Sequence, residues 1–215
     1  MLVPQACHYK VGQGREGGLT AEKRIIRTPL DPRTVKSLKI GDAVYLTGRI
    51  FTARDQAHIL MLKDGIPPGL ETKGLAVYHC GPIVKQRNGE RIITSAGPTT
   101  SMRMESLETE FLEMSGALAI VGKGGMGPET LKALEKLGAV YLSITGGLGA
   151  LAMKRLGPIK AVHFLEELGP VEAVWVFDAV ELGPLVITMD SHGNSLHEAV
   201  SAVTRENLAR ILEKS

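Results

Sequence analysis

The sequence predicts a single α/β domain with a mixed sheet, and two local patterns carry that prediction. In the first half, two β-type runs flank an Asn88-Gly89 pair, which is typical of a hairpin turn. In the second half, an apolar run at 117–122, a helical pattern at 128–138 and a β-type run at 139–144 form a β-α-β unit. The run at 117–122 is apolar at nearly every position, which suits a sheet covered on both faces. Hairpins combined with β-α-β units indicate an α/β domain with a mixed sheet.

The first half of the chain begins with a segment that shows no periodicity. Residues 1–22 are Gly-rich and polar, so we expect a tail or an arm that contacts a partner, followed by one domain at 23–215. Asp31-Pro32 predicts the start of a short helix, with Asp as the N-cap and Pro at the first helical position. The other elements predicted here are strands at 23–30 and 43–50, a helix at 52–63, an interrupted strand at 75–84 and a strand at 91–96.

In the second half of the chain, predicted helices and strands alternate more regularly. A helical pattern begins near Met102 and precedes the β-α-β unit. After that unit the sequence predicts a short helix ending at 156, strands at 158–164, 171–180 and 185–190, and a final helix at 196–213. We find neither an internal repeat nor a linker after residue 22.

Composition excludes several classes of partner. With 25 basic and 23 acidic residues the net charge is +2, which argues against nucleic-acid and membrane-surface binding. Aromatic residues make up only 4% of the chain, too few for a base-stacking platform. The two cysteines, Cys7 and Cys80, are far apart and lack metal-ligand spacing, so we predict no disulfide and no metal site built by this chain alone.

The sequence also predicts a cytoplasmic protein. The N-terminus lacks the apolar run of a signal peptide. No stretch approaches the roughly 18 consecutive apolar residues that span a bilayer.

The stretch Gly97-Pro98-Thr99-Thr100-Ser101-Met102-Arg103-Met104 concentrates polar chemistry at a strand-to-helix junction. Three hydroxyls and a guanidinium stand where free backbone N–H groups and the helix dipole favour an anion. The alternative is that Thr and Ser only cap the helix. Thr99 has no histidine beside it in sequence, so nothing local activates its hydroxyl.

A second candidate group is Arg54, Asp55 and His58. Arg54 begins a predicted helix, where a cation opposes the dipole, so it is either paired with Asp55 or another carboxylate or kept for an anion. His58 lies on the same helical face four residues later. A histidine in that position is a hydrogen-bonded structural residue or a supporting site residue.

A third candidate is Lys123, between Gly122 and Gly124 at the mouth of a helix. It either binds an anion or is a solvated side chain in a flexible turn. The glycines at 146–149 form a similar loop that either approaches a ligand or allows close packing. Together Arg54, Arg103 and Lys123 offer three cations, which suits a small dicarboxylate. The chain shows no obvious acid–base pair, so chemistry requires a partner.

These residues lie in four motifs: TARDQAH at 52–58, GPTTSMRM at 97–104, GKGGM at 122–126 and DSHGNSLH at 190–197. Through them the chain resembles the β subunit of class I iron–sulfur hydro-lyases. That subunit corresponds to the C-terminal domain of single-chain class I fumarases and to the small subunit of L-tartrate dehydratase. The resemblance covers about residues 23–200.

The resemblance implies a swivelling β/β/α domain that closes over an α subunit. It also implies an α2β2 assembly. The α subunit of that family carries a 4Fe–4S cluster on three cysteines. By resemblance Thr99 is the catalytic base, while Arg54, Arg103 and Lys123 bind the dicarboxylate, with His58 and Asp55 beside them. His79-Cys80 and residues 176–178 depart from the family pattern, so we assign no ligand role to Cys80.

The resulting prediction is the β subunit of a two-component class I fumarate hydratase, a lyase of the tricarboxylic acid cycle that is active only with its α subunit. It would interconvert fumarate and (S)-malate. Two alternatives stay open: an L-tartrate dehydratase β subunit, which would yield oxaloacetate, and a non-catalytic dicarboxylate-binding module.

Overall fold

The computed structural model describes residues 23–212, so the predicted tail at 1–22 lies outside the described residues. The strands are β1 (Ile25–Arg27), β2 (Ala43–Thr52), β3 (Ala76–Tyr78), β4 (Ile83–Arg87), β5 (Glu90–Ser95), β6 (Ala119–Gly122), β7 (Val140–Ser143), β8 (Leu156–His163) and β9 (Val174–Met189). The helices are α1 (Pro32–Lys36), α2 (Asp55–Asp64), α3 (Glu105–Ser115), α4 (Pro128–Leu137), α5 (Gly149–Met153), α6 (Leu165–Glu172) and α7 (Leu196–Leu212), and a 3₁₀ turn at Ser101–Met104 precedes α3. In this part of the chain no helix has the length and apolar character needed to cross a membrane.

Seven strands form a mixed sheet in the order β1-β2-β3-β6-β7-β9-β8. The first five are parallel neighbours, with Ile50 opposite Ala76, Ala76 opposite Ala119, and Ala119 opposite Val140. Strand β9 runs antiparallel to β7 and β8 and also pairs with β2, which closes the sheet on itself. The predictions of a mixed sheet and of a parallel β6-α4-β7 unit are confirmed.

Two apolar cores lie on the two faces of this sheet. One contains Trp175 and Phe177 together with inward side chains of the parallel strands. The other lies beneath α2, α3 and α4 and includes Met61 and Phe111. Every residue of β3 and β6 is buried, as expected for strands covered on both faces.

Several turns follow directly from local sequence. The Asp31 carboxylate accepts a hydrogen bond from Arg33 N at 2.9 Å and caps α1, as predicted. The β4–β5 hairpin turns at Asn88 and Gly89, with φ angles of 53° and 82°. Such positive φ angles are the reason that Asn-Gly favours this kind of turn.

Three predictions of secondary structure differ from the observed elements: one boundary, one helix and one strand. Strand β2 continues to Thr52, so α2 begins at Asp55 rather than at residue 52. Helix α6 was not predicted, because Gly169 and Pro170 within it look like a loop. The strands predicted at 171–180 and 185–190 are one strand, β9.

Gly183-Pro184 suggested a break in β9, but the strand passes through it. The β2–β9 pairing shifts register between Leu46 and Val44, opposite this dipeptide. Proline is tolerated at such an irregularity because its missing N–H is not needed there.

Candidate active site

The polar residues predicted from sequence lie at the carboxyl ends of parallel strands. Arg54 follows β2, Lys123 follows β6, and the glycine loop at 145–148 follows β7. His79, for which no site role was predicted, follows β3. Open and closed α/β sheets commonly bind ligands at this edge, because loops from neighbouring strands meet there.

The stretch from Thr99 to Ser101 is fastened across two of these strand ends. Thr99 N donates to His79 O at 2.6 Å, and Ser101 N donates to Lys123 O at 3.1 Å. Thr100 and Lys123 also form a parallel bridge. The chain therefore brings Thr99 and Lys123, 24 positions apart in sequence, onto one hydrogen-bonded backbone unit.

The three hydroxyls of this stretch do not cap the helix, so the capping alternative is wrong. Neither the 3₁₀ turn nor α3 has a side-chain cap at its N-terminus. Ser101 is buried and its Oγ lies 2.9 Å from His79 Nδ1 and accepts from Tyr141 OH at 2.8 Å. Thr99 is half-buried, and we find no partner for its hydroxyl among residues 23–212. That hydroxyl is available to a ligand.

Both arginines are held by carboxylates of this chain. Arg54 Nη2 lies 3.1 Å from Glu172 Oε1, whereas Asp55 pairs with Arg103. The alternative of an Arg54–Asp55 pair is therefore wrong, and the alternative of another carboxylate is confirmed. The Arg54 side chain is 17% exposed and that of Arg103 is 51% exposed, so Arg103 is far more accessible.

Arg54 also depends on a close backbone approach. A Cβ on Gly81 would lie 2.5 Å from Val171 O and 2.9 Å from Arg54 Nη1, so glycine allows both groups to approach the backbone here. Within the described structure the Arg54 Nε is buried without a hydrogen-bond partner. Part of the donor capacity of Arg54 is thus not used by its ion pair.

Lys123 differs from both arginines. It is half-buried and has no ion-pair partner in the part of the chain that the structure describes. Its aliphatic stem packs on Gly146, where a Cβ would lie 3.1 Å from Lys123 Cδ. The glycine loop after β7 therefore allows close packing, which was one of its two alternatives, and that packing positions the Lys123 ammonium.

The N-terminus of α4 is not free to bind a substrate anion, because Glu105 occupies it. The Glu105 carboxylate accepts from Gly127 N at 2.6 Å, Glu129 N at 3.1 Å and Thr130 N at 3.2 Å, and from Thr130 Oγ1 at 2.7 Å. A carboxylate there is stabilised by the helix dipole. Any anion near Lys123 must be bound by side chains rather than by α4.

A buried polar cluster lies directly beneath the site, and sequence reasoning missed it. His58 and His79 both face Glu108, and all three side chains are 0% exposed. Burial alone would raise the pKa of Glu108, but the two histidines hold it at about 2. His58 was predicted as a structural or supporting residue. The signal for the others was weak, since His79 and Glu108 are 29 positions apart in sequence.

Cys80 is buried next to Tyr78. Burial raises the pKa of its thiol to about 12, which makes the thiolate scarce at neutral pH. Among the described residues Cys80 is the one cysteine, and an iron–sulfur cluster requires several thiolates. The described donor set does not fit such a cluster.

Comparison with known proteins identifies the family. The model of the Fumarase C-terminus family matches residues 10–200, which is most of the chain. The chain belongs to this family. The match extends into the segment that was predicted as a tail, and it confirms the resemblance to class I hydro-lyase β subunits.

Three relatives illustrate the range of this family. A protein of Methanocaldococcus jannaschii, proposed to be an L(+)-tartrate dehydratase subunit beta, is 45% identical over 85% of this chain and 95% of its own length. The L(+)-tartrate dehydratase subunit beta of Escherichia coli K12 is 40% identical over 81% of this chain and 86% of its own. A protein of Geobacillus stearothermophilus, proposed to be a class I fumarate hydratase, is 37% identical over 90% of this chain but only 37% of its own length.

Proposed function

We propose that this chain is the β subunit of a two-component hydro-lyase that interconverts fumarate and (S)-malate. The observation that carries the proposal is the backbone unit that joins Thr99, Ser101 and Lys123, with Arg103 two residues beyond Ser101. It presents an unpartnered hydroxyl and two accessible cations at the ligand-binding edge of the sheet. The names of the relatives support dehydration chemistry on a small hydroxy acid.

The charges of the site suit a dicarboxylate. Lys123 and the exposed Arg103 are candidates to bind one or both carboxylates. The Nε of Arg54 is an unused donor, but it is buried, so its side chain would have to shift to reach a substrate. Arginine binds a carboxylate through two parallel hydrogen bonds, which fixes its orientation as well as its position. Because Arg103 already contacts Asp55, a substrate carboxylate must share or displace that partner.

Thr99 is the residue that we place at the proton-transfer step. Dehydration of (S)-malate removes a proton from the carbon beside the one that carries the hydroxyl. A neutral threonine hydroxyl is a weak base, so the alkoxide is the form that would accept the proton: nearby cations would favour its formation, and a carboxylate from the partner would take up the hydroxyl proton. Lys123 and Arg103 are candidates for the first of these effects.

We place the expected 4Fe–4S cluster on the α subunit, because the described residues of this chain offer a single buried thiol. Two of the relatives are described as β subunits, which supports an α subunit as the partner here. The α2β2 stoichiometry and the cytoplasmic location stay predictions.

Dehydration of L-tartrate to oxaloacetate is a second candidate. It is favoured by the comparison, because the two relatives described as tartrate dehydratase β subunits align over most of their own length. The same cations would bind tartrate, which is also a four-carbon dicarboxylate.

The proposal is tested by purifying the full chain with its α subunit under anaerobic conditions and reconstituting the cluster. Turnover of fumarate and of L-tartrate is then followed for both subunits together and for each alone. Fumarate hydration that requires both subunits supports the proposal, and turnover of tartrate alone corrects the substrate. Dicarboxylate binding by this chain alone, without turnover in the complex, would leave a binding module.

The variant Thr99→Ala tests the proton-transfer role, and Thr100→Ala is its matched control because that neighbouring threonine is exposed. We expect kcat of Thr99→Ala to fall by about 10²–10⁴ with KM nearly unchanged, the usual range for loss of a general base. Thr100→Ala should retain wild-type kcat. Equal kcat in both variants, with the cluster intact, would remove Thr99 from the mechanism.

A further inference from the structure

Three potential metal ligands converge in a closed space beneath the site. The side chains of His58 on α2, His79 after β3 and Glu108 on α3 are all 0% exposed. One ligand atom from each lies within 4.8 Å of the other two. The cluster is therefore sealed from solvent by the three elements that carry it.

The polar atoms of this cluster lack hydrogen-bond partners. His58 Nε2 and His79 Nε2 lie 3.4 Å and 3.2 Å from Glu108 Oε2, but neither contact has hydrogen-bond geometry. Both Nε2 atoms and both Glu108 oxygens are buried without a partner in the described structure. Buried polar atoms are nearly always satisfied, so four such atoms facing one another favour a bound water or ion at this position.

The hydrogen bond made by Nδ1 of His58 indicates the charge of the group that its other ring nitrogen, Nε2, can bind. His58 Nδ1 lies 2.8 Å from Arg54 O, and a carbonyl oxygen can only accept, so Nδ1 carries the hydrogen. In the neutral ring Nε2 then presents a lone pair toward the Glu108 carboxylate. A lone pair that faces a carboxylate in a sealed space is unfavourable unless a proton or a metal cation lies between them.

The spacing of the groups fits a tetrahedral metal ion. Zinc bonds of 2.0–2.2 Å to nitrogen and oxygen place neighbouring ligand atoms about 3.4 Å apart, close to the two observed N···O distances. Two imidazoles on one such ion would have ring centres about 5.3 Å apart, and the rings of His58 and His79 are 5.4 Å apart.

The outer ring nitrogens are anchored as those of metal-binding histidines usually are. His58 Nδ1 is bound to a backbone carbonyl, and His79 Nδ1 lies 2.9 Å from Ser101 Oγ. Tyr141 in turn donates to Ser101. Both contacts fix the orientation of their rings, and the donation from His58 Nδ1 also raises the basicity of the nitrogen that faces the metal.

We propose that His58, His79 and Glu108 bind one Zn²⁺ ion, with Glu108 Oε2 as the oxygen ligand. This site departs from the sequence-based prediction that the chain binds no metal, and it does not depend on the proposed function. Two histidines and one glutamate form a ligand set that is common in catalytic zinc sites, but here all three side chains are 0% exposed, so the ion would have a structural role. The ion would tie α2, the segment after β3 and α3 together, directly beneath Arg54 and Thr99.

The test is the zinc content of the full chain, purified without a polyhistidine tag. The variants are His79→Gln and Glu108→Gln, and His192→Gln is the matched control because its histidine is exposed. Wild type and control should hold about one zinc per chain and the two variants less than about 0.1, since each variant loses a ligand. Added Zn²⁺ should raise Tm only in metal-stripped wild type and control.

X-ray absorption at the zinc edge of the wild-type protein tests the site without using a variant, so a variant that fails to fold does not affect the result. We expect nitrogen and oxygen ligands at about 2.0–2.1 Å, outer-sphere scattering from imidazoles and no sulfur. One equivalent of another divalent metal with the same variant dependence supports the site and corrects the ion. Sulfur ligation, or wild-type protein that neither contains zinc nor rises in Tm when Zn²⁺ is added, overturns the proposal.

Discussion

Replacing Glu105 by alanine should destabilise the fold by a predictable amount. Its carboxylate accepts hydrogen bonds from three backbone amides at the start of α4 and from the Thr130 hydroxyl. It begins α3 while capping α4, so it joins the helix after Arg103 to the helix after Lys123. In the alanine variant those amides would lose their shared acceptor.

The magnitude follows from two contributions. Loss of a side-chain cap costs about 1 kcal/mol, within a range of 0.5–2. Loss of a partly buried negative charge at a helix N-terminus costs up to about 2 kcal/mol more. We therefore expect the free energy of unfolding to fall by about 2–3 kcal/mol. For a chain of this size each kcal/mol lowers Tm by roughly 2–4 °C.

Urea unfolding followed by circular dichroism measures this change, with Glu110→Ala as the matched control. Glu110 is exposed on the same helix, so its variant should differ from wild type by less than about 0.5 kcal/mol. A Glu105→Ala variant as stable as the Glu110→Ala variant would refute the capping role that we derive from the structure.

Three further predictions concern packing and reactivity. Glu172→Gln removes the charge that pairs with the mostly buried Arg54, and we expect a loss of about 1–2 kcal/mol in urea unfolding; an unchanged midpoint would contradict the pair's contribution. Gly122→Ala would place a Cβ 1.9 Å from Ser101 Oγ, so we expect a loss of more than about 3 kcal/mol or insoluble protein, read from Tm and soluble yield. Because the pKa of Cys80 is raised to about 12, its thiolate is scarce at pH 8. Iodoacetamide should then label Cys80 only in denaturant, as peptide mass spectrometry can show, and rapid labelling of the native protein would disprove its burial.

Local patterns were enough to predict most elements of this fold. The β6-α4-β7 unit, the Asn88-Gly89 hairpin and the Asp31 cap each depend on residues that are close in sequence, and each is confirmed. Helix α6 was missed because its Gly169-Pro170 pair has the local signature of a loop. The continuous strand β9 was missed for the same reason at Gly183-Pro184.

The candidate site was predictable only in part. Its cations and hydroxyls were found because they stand at strand ends, but their partners come from distant positions. Glu172 reaches Arg54, and Glu105 reaches the start of α4, through the tertiary fold. Nothing in the local sequence distinguishes these glutamates from exposed ones. The roles assigned to Thr99 and the cations stay predictions.

The pairing of β9 with β2 means that the sheet can close only late in the synthesis of the chain. Trp175 N donates to Thr52 Oγ1, a residue 123 positions earlier. At a synthesis rate of about 5–20 residues per second, about 6–25 s pass between the synthesis of Thr52 and that of Trp175. During that time an unpaired edge is open to aggregation or to a chaperone. Any partner that needs the closed sheet can therefore dock only after β9 has been synthesised.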